Sequence, residues 1–112
     1  MIIVRRDFRM GLGNIAIMVA HAAVLSAEKS RLTDFAAFTR WLESGQAKVI
    51  LKVQSLEELV ELRQTAEDLS LSVVSIDGID PMEATKSTWT CICIGPAKSF
   101  LVDRVTSHLK LL

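Results

Sequence analysis

His21 is the one titratable ring in an apolar stretch, RMGLGNIAIMVAHAAV, covering residues 9–24. An imidazole with an ordinary pKa of about 6.5 can take a proton from water at neutral pH. Just before it come a Gly-x-Gly turn, Gly11 and Gly13, and three arginines, Arg5, Arg6 and Arg9. A helix opening at Asn14 would collect free backbone N–H groups and partial positive charge at its mouth, which suits a phosphate or an oxyanion. The two glycines would let a ligand come close to the backbone. His21 would then lie about 10 Å below that mouth, at ~1.5 Å per residue. The chemistry suggested is activation of a water beside a held anion. The competing reading is an interior histidine bonded to a main-chain carbonyl.

The elements that must position these residues follow from periodicity. MIIVR reads as a short buried strand, and residues 7–13 as a turn-rich loop. A helix from about Asn14 to Lys29 carries Ile15, Val19, Ala22 and Ala23 on one stripe, widened by Ile17, Met18 and Leu25. A helix this apolar is expected to be covered on two sides. Thr33 or Asp34 can cap a second helix with Phe35, Phe38 and Leu42 inward, and Gly45 can end it. KVILKV at 48–53 is a second strand. Ser55 and Glu58 form a capping box for a helix that buries Leu56, Leu59, Val60, the Arg63 stem, Ala66 and Leu69. SVVSI at 72–76 and TWTCICI at 88–94 are further strands, the latter apolar on both faces and so central. Gly95-Pro96 opens a last helix, and HLKLL alternates like a short edge strand. Strands alternating with helices imply a mixed sheet covered on both faces.

Composition removes several classes. The chain has 112 residues, half of them hydrophobic, with zero net charge, so a single domain with its own core is expected over residues 1–112. The only cysteines, Cys91 and Cys93, point the same way from one strand, which suits neither a disulfide nor a zinc site, and no metal or cofactor is expected. The chain has no tyrosine, against base stacking as a mode of RNA reading. RRDF followed by an apolar run imitates an export signal, but MIIV precedes the arginines, and the run is too short to span a bilayer. Gly11-x-Gly13 lacks the third glycine of a dinucleotide fingerprint, since residue 16 is alanine. Arg5, Arg6, Arg9, Lys48, Lys52, Lys98, Arg104 and Lys110 could frame a phosphate-binding face, although Arg5 and Arg6 point apart as long as the strand continues.

Several stretches, taken together, resemble the peptidyl-tRNA hydrolases of the archaeal and eukaryotic type (type 2). They are VRRDFRMGLGNIA, VAHAAV, GQAKVILKV, IGPA and VTSHLKLL, collinear over nearly the whole chain. The resemblance implies a three-layer α/β/α fold with a four-stranded mixed sheet, a homodimer, a cytoplasmic location and tRNA as partner. The implied activity is hydrolysis of the ester between a peptide and the 3′ end of tRNA. Carried over by position, His21 would be catalytic, with Asp77, one place before the family acid, standing in as its partner, and Arg5, Arg6, Gly11, Gly13, Asn14, Lys48 and His108 would bind substrate. The chain departs from the family pattern at Leu12 and Asn14, where lysines are usual, and at Met18, where glutamine is usual. In the stretch GIDPME, residues 78–83, Gly78 takes the place of the family acid and Met82 that of a threonine. Asp77 and Asp80 are the acids nearest that place. These departures raise a second expectation, a weakened or inactive homologue that binds tRNA or a protein.

Overall fold

The computed structural model describes residues 1–80 and 83–112, with side chains described outside 79–86. The order is β1 (Ile2–Arg5), α1 (Leu12–Thr33), α2 (Phe35–Glu43), β2 (Ile50–Val53), α3 (Leu56–Asp68), β3 (Val73–Asp80), β4 (Glu83–Ile94), α4 (Ser99–Thr106) and β5 (Lys110–Leu111). The sheet runs β3-β4-β1-β2-β5. It therefore has five strands, not the four implied by the resemblance. The fifth is only two residues long and pairs antiparallel with β2 through Leu51↔Leu111 and Lys52↔Lys110. β1 and β2 are parallel, and β4 runs antiparallel to both β1 and β3.

Strand alternation divides the core. Ile3, Leu51, Val53, Val73, Ile92 and Ile94 point to one face and pack with Leu59, Leu62 and Ala66 of α3 and Val102 and Val105 of α4. Ile2, Val4, Ile76, Cys91 and Cys93 point to the other, against Met18 and Ala22 of α1. α2 packs on α1 rather than on the sheet. The layers are thus α3/α4, sheet and α1.

Local signals set the helix ends. Asp34 caps α2, its carboxylate accepting from Ala37 N at 3.1 Å. Ser55 Oγ accepts from Glu58 N at 3.1 Å, while the Glu58 carboxylate takes Gln54 N, one residue before the cap. Gly45, at φ +110°, provides the left-handed residue that turns the chain out of α2. α4 starts at Ser99, three residues later than Pro96, because the Gly95–Pro96 turn instead docks on α1: Ser26 Oγ donates to Gly95 O, and Ser30 Oγ to Pro96 O at 2.9 Å.

Three packing expectations need correction. α1 buries Ile15, Met18, Ala22, Ser26 and Ser30, and its opposite side is open, with Ile17 71% and Val24 67% exposed. On α2, Ala37 is buried while Phe35 and Leu42 are exposed, because only one edge of that helix reaches α1. On α3, Leu62 is buried and Val60 exposed. The β3–β4 hairpin is also longer than the two short strands foreseen. Pairing continues through Gly78↔Thr88 and Ile79↔Ser87, so residues 78–80 and 83 belong to strands.

Candidate active site at the β1–α1 end of the sheet

β1 ends at Arg5, and the loop beyond it is built on that side chain. The Arg5 guanidinium grips Asp7 with both arms, Nε to Oδ1 at 3.0 Å and Nη2 to Oδ2 at 2.7 Å. Nη1 donates to Thr88 Oγ1 at 3.0 Å and to Trp89 O at 2.9 Å. The Phe8 ring lies 4.9 Å from the guanidinium carbon, and Met10 packs on the α1 face of the core. Arg5 is buried, and its donors are engaged in holding β1, β4 and the loop together. The Asp7 carboxyl is held below its ordinary value, chiefly by the hydrogen bond from Arg5. Arg6 and Arg9 alternate outward and are exposed.

The loop delivers the chain to α1. Gly11 is the N-cap, no side chain caps the helix, and the first turn has no acid. The first backbone bond within the helix is Ile15 N to Gly11 O at 3.1 Å, so the earlier N–H groups point out of the helix end. A Cβ placed on Gly11 or Gly13 would meet nothing within 4 Å, and Asn14 beside them is exposed. An open, uncapped mouth with two free arginines nearby can take an anion.

His21 is exposed and is not sealed in the core. Among the described residues no hydrogen-bond partner of the ring appears. It lies two turns after Asn14 and one turn before Leu25, on the stripe that continues through Glu28 and Leu32. Leu25, Glu28, Lys29 and Leu32 form one wall of an open groove along β3, whose floor and other wall are Val73, Val74, Ser75, Asp77, Trp89 and Arg63. Lys29 Nζ donates to Val73 O at 2.8 Å. From that contact, Asp77 lies four strand residues toward Arg5, about 13 Å at ~3.3 Å each. His21 lies eight helix residues in the same direction, about 12 Å at ~1.5 Å each. His21 and Asp77 thus advance about equally along the sheet but on opposite faces of it: Asp77 alternates with Val73 and Ser75 and pairs with Trp89 on the α3 side, His21 is on α1, and no bond joins them among the described contacts.

The place of the family acid is sterically occupied. A Cβ on Gly78 would stand 2.5 Å from Thr90 Cγ2. Thr90 is the extra residue of a bulge, since Ile76 pairs with Cys91 and Asp77 with Trp89, and its hydroxyl donates to Ile76 O at 3.2 Å. Asp80 and Met82 lie outside the described side chains.

The remaining candidates scatter. Lys48 lies at the opposite end of the sheet, two residues before the Ile2↔Ile50 pair. There it donates to Gln46 O at 2.9 Å, sits 5.3 Å from the Trp41 ring and lines an apolar cavity of about 210 Å³ with Met1, Ala23 and Val102. His108 is exposed beyond β5, and the antiparallel register carries it toward the Arg6 end, two strands away from β1. Sequence reasoning missed Arg5 as an anchor and Trp89 as a groove wall. Asp7, two residues after Arg5, was the available signal for the first. Cys91 and Cys93 are buried free thiols, and burial pushes Cys91 up to about 12, so neither serves as a nucleophile. Among the described residues no cluster could hold a metal ion, and no helix is long and apolar enough to cross a membrane.

Comparison with known proteins gives one answer. The model of the family "Peptidyl-tRNA hydrolase PTH2" matches residues 1–112. A protein of Sulfurisphaera tokodaii named peptidyl-tRNA hydrolase is 42% identical over 117 aligned positions, covering 99% of this chain and 95% of its own. Proteins of the same name from Saccharolobus solfataricus and Thermococcus onnurineus are 39% and 38% identical, covering 99% and 97% of this chain and 96% and 92% of their own.

Proposed function

This chain belongs to the peptidyl-tRNA hydrolase PTH2 family, and from that membership we propose that it hydrolyses the ester joining a peptide to the 3′ end of tRNA, in the cytoplasm and without metal or cofactor. Water adds to the ester carbonyl, the carbonyl–oxygen bond breaks, and a free peptide acid and a tRNA 3′-hydroxyl leave. The observation that supports the reading is the exposed His21 on α1, two turns below the open, uncapped mouth of that helix.

The roles divide by distance. The α1 mouth and His21 are about 10 Å apart, too far for one oxyanion to touch both. The mouth, with Arg6 and Arg9, suits the backbone phosphate of the terminal nucleotide, whose sugar then reaches toward His21. His21 takes the proton of the attacking water, while Asp77, the acid expected to pair with it, faces the α3 side of the sheet and does not orient the ring. Arg5, Gly11, Gly13 and Asn14 shape the phosphate site, His108 reaches the same end of the sheet two strands away, and Lys48 lies at the opposite end. Binding through phosphates should weaken steeply with salt. The experiment is single-turnover cleavage of a peptidyl-tRNA by the wild type and His21→Ala. A drop of about a hundredfold, the usual order for losing a general base, supports the reading. Background cleavage by both proteins removes it.

One observation favours a second reading, a homologue that binds tRNA ends without turnover. Thr90 fills the space next to Gly78, so no acid can stand there without moving it. Retained tRNA binding with background cleavage would select this reading.

The homodimer belongs to the same proposal. Ile17, Ala20 and Val24 form an apolar stripe directly opposite the buried face of α1, and a two-fold partner presenting the same stripe would cover it. Sedimentation of wild type as a dimer and of Ile17→Asp as a monomer supports this pairing, and a monomeric wild type rejects it.

A further inference from the structure

β3 is an outer strand, and its free edge is part of the groove floor. The register says which of its groups are unpaired. Gly95 N donates to Ser72 O at 2.8 Å, so Ser72 turns its polar groups toward β4. In an antiparallel ladder the next residue turns them away. Val73, Ser75 and, across the bulge, Asp77 therefore present N–H and C=O outward, whereas Val74 and Ile76 are bonded to β4. The Lys29 bond to Val73 O agrees with this assignment and closes the far end of the edge. Among the described contacts the outward groups of Ser75 and Asp77 remain open, with Leu25, Leu32 and Trp89 beside them.

We infer that this edge holds the peptide part of the substrate as an added strand. The inference rests on the hydrolase reading above. Three features select an extended peptide over other occupants. The groove runs along the edge toward the end of the sheet at which His21 stands, so a chain lying in it delivers one of its ends there. Main-chain bonding accepts any side chains, which a substrate of variable sequence requires. Leu25, Leu32 and Trp89 offer apolar contact, and the charged lining residues balance in sign, Glu28 and Asp77 against Lys29 and Arg63. Direction follows as well. β3 runs toward the site, and the ester is at the peptide's C-terminus, so the added strand must lie parallel to β3. Its length is set by the edge from Val73 to Asp77, about 13 Å or some five residues. The groove side of α1 (Leu25, Glu28, Leu32) is a different stripe from the one assigned to the dimer.

The probe is an acetylated pentapeptide amide at millimolar concentration, added to the intact protein without tRNA. Amide hydrogen exchange should slow at Ser75 and Asp77 and stay unchanged at Val74 and Ile76. Ser75→Pro removes one outward N–H and no bond to β4, a substitution an edge strand tolerates. It should weaken peptide binding tenfold or more. Ser75→Ala, which loses only the hydroxyl contact from Arg63, should bind as wild type does. Unchanged exchange at Ser75 and Asp77, or shifts clustered at the Trp41 cavity instead, would overturn the inference. So would protection of the edge that rises with protein concentration alone, since that means β3 pairs with a second copy. Edge protection in a protein that cleaves no ester bears on the hydrolase reading and leaves the edge as a peptide site. Cleavage without edge protection does the reverse.

Discussion

The two faces of the sheet are covered very differently. α3 and α4 seal one face, where Ile3, Leu59, Ala66 and Ile92 have no exposure at all. A single helix, α1, lies on the other, and it leaves an open groove along β3 and an apolar stripe in solvent. The contrast separates two uses of apolar sequence. On the sealed face apolar residues make the fold. On the open face they are available to a substrate or a partner, and His21 stands between the two stripes.

The largest effect should fall on the sealed face. Leu59→Ala removes a fully buried side chain from the centre of the α3 packing, and such truncations cost about 2–5 kcal/mol. Ile17→Ala on α1 should stay within about 0.5 kcal/mol for the monomer. Urea unfolding of both variants at low protein concentration measures the pair. Equal losses would mean that the α1 stripe is also part of a single-chain core, and the contrast between faces would fail.

A smaller effect is expected where the groove meets the sheet end. Gly78→Asp forces a Cβ against Thr90, and overpacking of this kind costs about 1–3 kcal/mol. The double variant Gly78→Asp/Thr90→Ala should regain most of it, less the Thr90 bond to Ile76 O. Thermal unfolding of the three proteins tests this coupling, and independent, additive losses would show that Thr90 is not what excludes a side chain at 78. The double variant also returns an acid to the position where the family pattern has one. A gain in ester cleavage there would show that the open face lost only that carboxylate.

Much of this was legible in the sequence. The element order, the central β4, the cap at Asp34 and the Ser55–Glu58 box all follow from periodicity and local bonding, which act within a few residues. What failed depends on long-range neighbours. The apolar breadth of α1 is the same whether a domain layer, a second copy or a substrate covers it, so Ile17 and Val24 could not be placed. Ser26 and Ser30 are buried because the Gly95–Pro96 turn comes to them across the fold, which no local pattern announces. Arg5 looked like a phosphate ligand, and only the distance to Asp7 and Thr88 shows it as an anchor. His21 and Asp77 were individually visible. That they reach the same height on opposite faces of the sheet depends on how α1 and β3 pack, which no local pattern records.

The smallest effect concerns that anchor, where the two faces meet. The Asp7 carboxyl is held below 3.8, first by the Arg5 hydrogen bond, with partial burial opposing it. Its folded pKa is thus lower than its unfolded one, so the unfolded chain binds the proton more readily. The pair's contribution is complete above the unfolded value and disappears as pH falls through the folded one. Because Asp7 is near the surface, the contribution should be below about 1 kcal/mol and should shrink with salt. Asp7→Asn should therefore be less stable than wild type near neutral pH and indistinguishable from it well below 3.8, as read from urea midpoints. The variant should also loosen residues 6–11 and raise their amide exchange, while leaving exchange in α3 and α4 unchanged. A loss that persists at low pH would mean that Asp7 acts through its shape and its bond to the loop rather than its charge. The end of β1 would still be held by the Arg5 bonds to Thr88 and Trp89 and by Arg6 N to Val53 O, so the effect should stay within the loop that carries Arg6 and Arg9.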